Sequence, residues 1–267
     1  MFVTNLSLFS LFSGPVESGV RQISPLLVVV FAWLLSVPVT GLAQQQELGE
    51  SEKPDAPAVE NLYWVFLTTA KSLEGIERDE MEAMQEEHLA NFRRLAADGR
   101  LLTAGPMSDP ENVRRGIVVL KASQGDELVE MFREDPYVRQ GYMNVDACKM
   151  QFELGKIHTR IAPKGMEELR IVLLDRNPDS EKEIDSETNQ QTMSYLKNLY
   201  DQKKLNLAIR LFDQKDDCQQ VLVFPKLETD EATLEIVNQI PAVKAGYWKQ
   251  EMMPLFMGKG SIDREEE

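Results

Sequence analysis

Apolar and polar positions between residues 61 and 157 follow two different periods. Residues 62–68 form an apolar run that predicts a strand, and residues 80–97 space their apolar side chains by three or four positions, which predicts an amphipathic helix ending at Gly99. Strands are predicted at 100–104, 116–122 and 144–153, with a short helix at 126–133. The resulting order, β-α-β-β-α-β, is typical of the ferredoxin-like unit.

The same pattern recurs about 104 residues later in the chain. Helices are again predicted, at 189–202 and 231–238. Two copies are too few for a solenoid, so the repeat predicts a tandem duplication of one small domain. The corresponding blocks are 62–67 with 169–174, 99–106 with 203–210, 117–120 with 221–224, and 135–142 with 240–247.

The repeat predicts an α+β fold class, with two ferredoxin-like βαββαβ domains packed as an intramolecular pseudo-dimer of the dimeric α+β barrel type. A unit of this kind carries its helices on one face of its sheet, so the other face must be covered. Two copies in one chain can cover each other. The chain is therefore expected to be a monomer with an internal pseudo-dimer, and a homodimer is the alternative.

Residues 1–43 have the features of a signal peptide. An uncharged apolar run at 26–37 follows Arg21, and the small residues Gly41 and Ala43 match a signal-peptidase site. The run is shorter than the roughly 20 residues that a bilayer span needs. Cleavage near Ala43 and export to the periplasm or the extracellular space are therefore expected, with an uncleaved N-terminal membrane anchor as the alternative.

The remaining boundaries follow from composition and from the repeat. Residues 44–60 are polar and acidic, which predicts a flexible linker. The predicted domains cover 61–157 and 167–260, joined by a linker at 158–166 and followed by a tail at 261–267. His158 falls in the linker and is interpreted as a solvated residue.

Charge and composition narrow the function. The chain has 29 Lys+Arg against 44 Asp+Glu, a net charge of −15, so no nucleic acid partner is expected, because phosphate contacts need clustered basic side chains. Two cysteines and two histidines leave few ligands, and no metal and no cofactor is predicted. P-loop, dinucleotide-binding, zinc-protease and hydrolase motifs are absent from the sequence. Cys148 and Cys218 are expected to be buried thiols, with a disulfide as the alternative.

One group of residues in the first copy can carry chemistry. His88 has helical spacing from Met84 and Phe92, so its imidazole projects from an apolar face and needs a polar partner. Asp135 can supply that partner, because the two helices lie side by side in this topology. A carboxylate beside an imidazole makes a general base, so His88 and Asp135 are the candidate catalytic residues. The candidate substrate-pocket residues are Gly105, Pro106 and Tyr137.

Each candidate also has a structural alternative. A histidine on an apolar face is often a core residue with its hydrogen bonds satisfied. Asp135 precedes a proline and is also a typical helix N-cap, a role that is compatible with the pair. The Gly-Pro pair at 105–106 is also a turn signal.

These residues resemble the YCII-related domain family over residues 61–157. The resemblance rests on the aromatic opening strand at 63–65, on His88, on the block DGRLLTAGP at 98–106, and on DPY at 135–137 with Gly141. It implies a dimeric α+β barrel with a pocket beside a His–Asp pair. The family is similar to muconolactone-isomerase-type proteins, and some members act as dehydrochlorinases on hydroxylated aromatics, so the resemblance implies a fold better than a reaction.

The second copy departs from this pattern. Thr192 stands at the position of His88, Ile240 at that of Asp135, and Ile-Arg at 209–210 replaces the Gly-Pro pair. A site is therefore expected in the first copy alone. In the first copy, the polar segment 108–115 with its two arginines also departs from the family pattern, which bears on any substrate lid.

The chain is expected to be an exported YCII-related domain protein that binds an unidentified small molecule in an α+β barrel without catalysis. The alternative is a lyase or isomerase of dehydrochlorinase type, in which His88 abstracts a proton and Asp135 orients it. The sequence leaves open whether the protein is an enzyme. No membrane partner is expected apart from the alternative anchor.

Overall fold

A computed structural model of the chain describes residues 61–158, 165–180, 183–212 and 218–263. The predicted signal peptide and acidic linker, at 1–60, lie outside these residues. Within the described ranges, no helix is both long and apolar enough to cross a bilayer.

The first half of the described chain has the predicted element order with one addition. Its elements are β1 (Asn61–Thr69), α1 (Arg78–Ala97), β2 (Leu101–Pro106), β3 (Arg114–Ala122), α2 (Asp126–Phe132), α3 (Pro136–Arg139) and β4 (Met143–Leu154). The addition is α3, a single turn too short to show a helical period. It begins at a proline, whose fixed φ suits the first position of a helix.

The second half repeats the order of the first. Its elements are β5 (Lys156–Ile157), β6 (Met166–Arg176), α4 (Ser186–Asp201), β7 (Leu207–Phe212), β8 (Cys218–Pro225), α5 (Asp230–Val237), α6 (Pro241–Lys244), β9 (Trp248–Gly258) and β10 (Ile262–Asp263). Strands β5 and β10 pair with each other in a separate two-stranded ladder. They therefore give regular structure at the borders of the predicted linker and tail.

The eight long strands form one antiparallel sheet in the order β2-β3-β1-β4-β7-β8-β6-β9. The last four strands repeat the arrangement of the first four. Strands β4 and β7 join the halves through a ladder that runs from the pair Lys149–Phe212 to the pair Leu154–Ala208. The described chain therefore has an α+β fold whose two halves share a continuous sheet.

The two outer strands of the sheet also meet, at a seam between β2 and β9. Met107 bridges to Leu255, and the Ser108 N–H donates to the carbonyl of Pro254 at 3.0 Å. A Cβ atom on Gly105 would lie 2.2 Å from the carbonyl oxygen of Phe256. Only glycine therefore permits this approach of the two backbones, which closes the sheet into a barrel.

Alternation along the strands divides the core into three layers. On β1, Trp64 and Phe66 face the barrel interior, whereas Val65 and Leu67 face the helices. The interior cluster draws on both halves and is filled by apolar side chains, among them Ile117, Met150, Ile171, Ile209 and Leu255. One helix layer then covers the outside of each half.

The structure bears on one of the two cysteines that the sequence predicts to be buried. Cys148 is a buried member of the interior cluster. Cys218 begins β8, but its side chain lies outside the described residues. The disulfide between them therefore stays a prediction.

Candidate functional site

The buried face of α1 carries His88 towards the sheet. Its neighbours at helical spacing, Met84 and Phe92, are buried, and His88 itself is 8% exposed. The imidazole lies 4.4 Å from the ring of Phe92 and 5.4 Å from the ring of Tyr137, measured between centroids. His88 therefore projects into an apolar layer, as the sequence predicts.

Asp135 lies opposite His88 and has no exposed surface. One carboxylate oxygen, Oδ2, lies 2.5 Å from Nδ1 of His88. The other, Oδ1, accepts a hydrogen bond from the backbone N–H of Tyr137 at 3.1 Å, which caps α3. The two interpretations of Asp135, as the partner of His88 and as a helix cap, therefore hold together in one side chain.

This arrangement fixes the orientation of the imidazole. With Asp135 as a carboxylate, Nδ1–H donates to it, and the lone pair then resides on Nε2. The aromatic contacts hold the ring plane. The pair can therefore accept a proton at one defined atom, Nε2, while Asp135 stabilises the imidazolium that forms.

A cavity of about 40 Å³ lies beside His88. A cavity needs roughly 10–15 Å³ to hold a water molecule, so this one accepts about three water-sized groups. All five predicted site residues converge here: Gly105, Pro106, Tyr137 and His88 line it, and Asp135 stands behind His88. In its wall β2 and β3 pack closely, because a Cβ atom on Gly116 would lie 2.9 Å from the carbonyl oxygen of Gly105.

Two further polar side chains line the cavity that the sequence did not single out. Gln85 stands three positions before His88 on α1, and its Oε1 accepts a hydrogen bond from the Tyr137 hydroxyl at 3.1 Å. Arg115 reaches the cavity from the start of β3. Gln85 could have been predicted from its helical spacing to His88. Arg115 carried no such signal, since the sequence shows it only as one of two arginines in a polar segment.

Burial raises the pKa of Tyr137 to about 12, with the negative charge of Asp135 as a second cause, whereas Arg115 acts in the opposite direction. The phenol is therefore neutral at ordinary pH and donates to Gln85. In the same cavity, burial lowers the pKa of Arg115, and Tyr137 and Asp109 partly offset this effect.

The raised pKa of Tyr137 predicts a loss of stability at high pH. A tyrosine in the unfolded chain ionises near pH 10, so the unfolded state releases its proton first. The free energy of unfolding should therefore fall as the pH rises from about 10 to about 12, by up to about 3 kcal/mol from this group. Urea unfolding of the wild type and of Tyr137→Phe across this window measures it, since the phenylalanine variant should lack that part of the slope. Equal slopes would contradict the prediction.

The second half caps its corresponding short helix without a His–Asp pair. Thr192, at the position of His88, is fully buried, and its hydroxyl accepts a hydrogen bond from the N–H of Ala242 at 3.1 Å. Ala242 corresponds to Tyr137, whose N–H is capped by Asp135. One hydroxyl thus caps the short helix in the second half, and the first half carries an imidazole beyond what capping requires.

The part of the chain that holds this site matches a family model. Residues 62–149 match the family model of the YCII-related domain. The match includes His88, Asp135 and the whole wall of the cavity, and it ends within β4. The segment that matches the YCII-related domain model therefore contains every candidate residue.

The similarity to solved structures covers more of this chain than the match to the YCII-related domain model. A candidate chlorite dismutase is 11% identical at a TM-score of 0.51, covering 74% of this chain and 94% of that one. A chlorite dismutase variant from Candidatus Nitrospira defluvii is 8% identical at a TM-score of 0.50, covering 76% and 92%. A heme-binding protein from Thermus thermophilus is 12% identical at a TM-score of 0.46, covering 74% and 92%. The first two likenesses show the fold alone, an α+β fold similar to chlorite dismutase-like dimeric α+β barrels.

No curated protein matches the chain. Within the described ranges, no cluster of three or more histidine, cysteine or acidic side chains is arranged to hold a metal ion.

Proposed function

We propose that the YCII-related domain binds a small molecule in the cavity beside His88 and uses Nε2 of that imidazole as a proton acceptor. The observation that carries this proposal is the unequal use of the two ring nitrogens. Asp135 holds Nδ1 from a fully buried position, and His88 lines a cavity with its remaining surface. A histidine needed only for packing does not require an ordered cavity beside it.

A second candidate function is supported by the same pair. In a lyase reaction of dehydrochlorinase type, His88 Nε2 takes a proton from a substrate carbon, the electron pair of that C–H bond forms the new C=C bond, and chloride leaves with the C–Cl electrons. Asp135 orients the imidazole and stabilises its positive charge. An isomerase would return the proton to another carbon. The support is the 2.5 Å contact between His88 and Asp135.

Histidine NMR tests binding even while the natural ligand is unidentified. The chain has two histidines, and His158 is exposed and distant in sequence from the cavity, so it serves as an internal reference. The cavity is partly open to solvent, so one edge of a phenol or of a small lactone can enter it. With ¹⁵N-histidine in the full chain, these compounds are expected to shift the ring signals of His88 and to leave those of His158 in place. The proposal is wrong if no small molecule moves the His88 signals.

Catalysis is tested separately from binding. Chloride release from β-chloro ketones, which carry an acidic C–H on the saturated carbon next to the C–Cl carbon, is the readout, with Asp135→Asn as the variant that keeps the side-chain shape. A loss of roughly 100-fold or more in that variant, the scale of a positioned general base, would favour the lyase over the binding protein. Ligand binding without any turnover would leave binding as the function.

A haem group, which one structurally similar protein is described as binding, does not fit the described residues. The cavity at His88 has about 40 Å³, whereas ligand pockets typically have about 300–1,000 Å³. The barrel interior is filled by apolar side chains. Residues 166–258 contain no histidine that could serve as an axial ligand.

We also propose that the two halves arose by tandem duplication and pack as an intramolecular pseudo-dimer in which the second copy has lost the pair. The repeated element order and the repeated arrangement of four strands support this origin. Export through cleavage near Ala43 remains a proposal that rests on the sequence of residues 1–43.

A further inference from the structure

Arg115 is a cavity-lining cation that the proton-accepting pair does not use. It follows Arg114 on β3, at an irregular point of the ladder where Thr68 of β1 faces Arg114 and Leu67 faces Gly116, so Arg115 has no partner on β1. Arg114 lies against the Phe66 ring on the interior face and pairs with Glu251 of the second half at 2.7 Å. Arg115 instead reaches the cavity on the helix side, next to His88 and Tyr137.

The guanidinium of Arg115 has a positioning contact but no ion pair among the described residues, although the negative charge of Asp109 acts on it from a longer distance. Its Nη1 donates to Oδ1 of Asn112 at 3.0 Å. Within the described ranges, no carboxylate lies at ion-pair distance from it, whereas Arg114 has such a partner. A half-buried cation without an anion is unfavourable, and such groups concentrate at functional sites.

The loop before β3 is built to hold Arg115 in place. Asp109 is 7% exposed, and its carboxylate accepts the backbone N–H groups of Glu111, Val113 and Arg114. Asn112 has a φ of +55°, a left-handed conformation that asparagine tolerates better than most residues. The guanidinium is therefore held by a pre-ordered turn and does not depend on a ligand for its position.

We propose that the cavity takes a small organic carboxylate, with the carboxylate group on Arg115 and a neighbouring donor on Nε2 of His88. This inference rests on the proposed binding function and names its ligand class. A guanidinium presents two parallel N–H donors that match the two oxygens of a carboxylate. A carboxylate group has three heavy atoms, which suits a cavity of about 40 Å³ that holds roughly three water-sized groups.

The test compares acids with their neutral amides. Acetate and glycolate are titrated into the full chain against acetamide and glycolamide, by ¹⁵N-histidine NMR and by calorimetry. The acids should bind at least about 10-fold more tightly than the amides, since hydrogen bonds to charged groups are the stronger ones. Glycolate should bind more tightly than acetate, because its hydroxyl can donate to His88 Nε2.

Three variants test whether the preference for acids over amides depends on Arg115. Arg115→Met should lower acid affinity at least about 10-fold and leave amide affinity unchanged, and Arg115→Lys should recover part of the loss by restoring the charge. Arg78→Met is the matched control, because Arg78 lies exposed at the start of α1. Urea unfolding of each variant confirms that its fold is retained.

The outcomes separate this inference from the proposed function. Acids and amides that bind equally, or acid binding that persists in Arg115→Met, would overturn the carboxylate assignment. Phenols or lactones that shift the His88 signals while both acids do not would also overturn it, yet would leave the binding function standing. If no compound of any charge shifts His88, the binding function and this inference fall together.

Discussion

Asp135→Ala should lower the free energy of unfolding by about 2–4 kcal/mol, the sum of a lost helix cap and a buried imidazole N–H left without a partner. Both losses follow from the structure, because Oδ1 of Asp135 caps Tyr137 and Oδ2 holds His88 from a position with no exposed surface. Urea unfolding monitored by circular dichroism measures the change.

The second half supplies the control for this experiment. There a threonine at the position of His88 and an isoleucine at that of Asp135 satisfy the same backbone N–H through one hydroxyl. The double variant His88→Thr with Asp135→Ile should therefore be more stable than the sum of the single changes predicts, with a coupling of about 1–2 kcal/mol within the range known for contacting residues.

Strictly additive effects of the two substitutions would contradict this account. They would mean that Asp135 contributes to stability through one contact and that His88 and Asp135 are not energetically coupled. Retained stability in Asp135→Ala would contradict it as well, since it would show that His88 finds another partner without loss.

Gly105→Val should destabilise the protein by about 3 kcal/mol or more, the upper end of what overpacking a core produces. A Cβ atom at this position would lie 2.2 Å from the Phe256 carbonyl oxygen, which belongs to backbone and cannot turn aside. Strands β2 and β9 must then separate, and the barrel loses the seam at Met107 and Leu255. Valine favours strands, so strand propensity cannot account for the loss.

Gly125→Ala is the matched control for the seam. A Cβ atom there meets nothing within 4 Å, and the backbone has a φ of −61° that any residue adopts. Its effect should lie within about 0.5 kcal/mol, as for most surface substitutions. If Gly105→Val unfolds at the same denaturant concentration as this control, the close approach of β2 and β9 is not a requirement of the fold.

Much of the candidate site was predictable because its residues stand in recognisable local sequence patterns. His88 stands at helical spacing among apolar side chains, and Asp135 precedes a proline that starts a helix, so both positions follow from periodicity and cap chemistry. The contact between them depended only on two helices lying on the same face of a sheet, which the β-α-β-β-α-β order dictates. Tyr137 was found because it lies two residues after that cap, in the same Asp-Pro-Tyr segment.

Other parts of the site carried no such local signal. The role of Arg115 depends on which face of β3 it occupies and on a turn ordered by Asp109, and neither can be deduced from two arginines in a polar segment. Gly105 was predicted as a pocket residue, and its necessity comes from a strand that lies about 150 residues further along the chain. The size of the cavity is likewise a property of side chains from several elements.

The sequence by itself predicted the order of the elements, its recurrence in the second half and His88 with Asp135 as a candidate pair, because hydrophobic period, helix caps and internal similarity are local or directly comparable along the chain. Only the tertiary structure decided that the sheet closes at Gly105, that the cavity holds about three water-sized groups, and that Arg115 lines it without a carboxylate at ion-pair distance. These features arise where segments distant in sequence meet, and packing between such segments is fixed by shape and by burial, not by the pattern of any one of them.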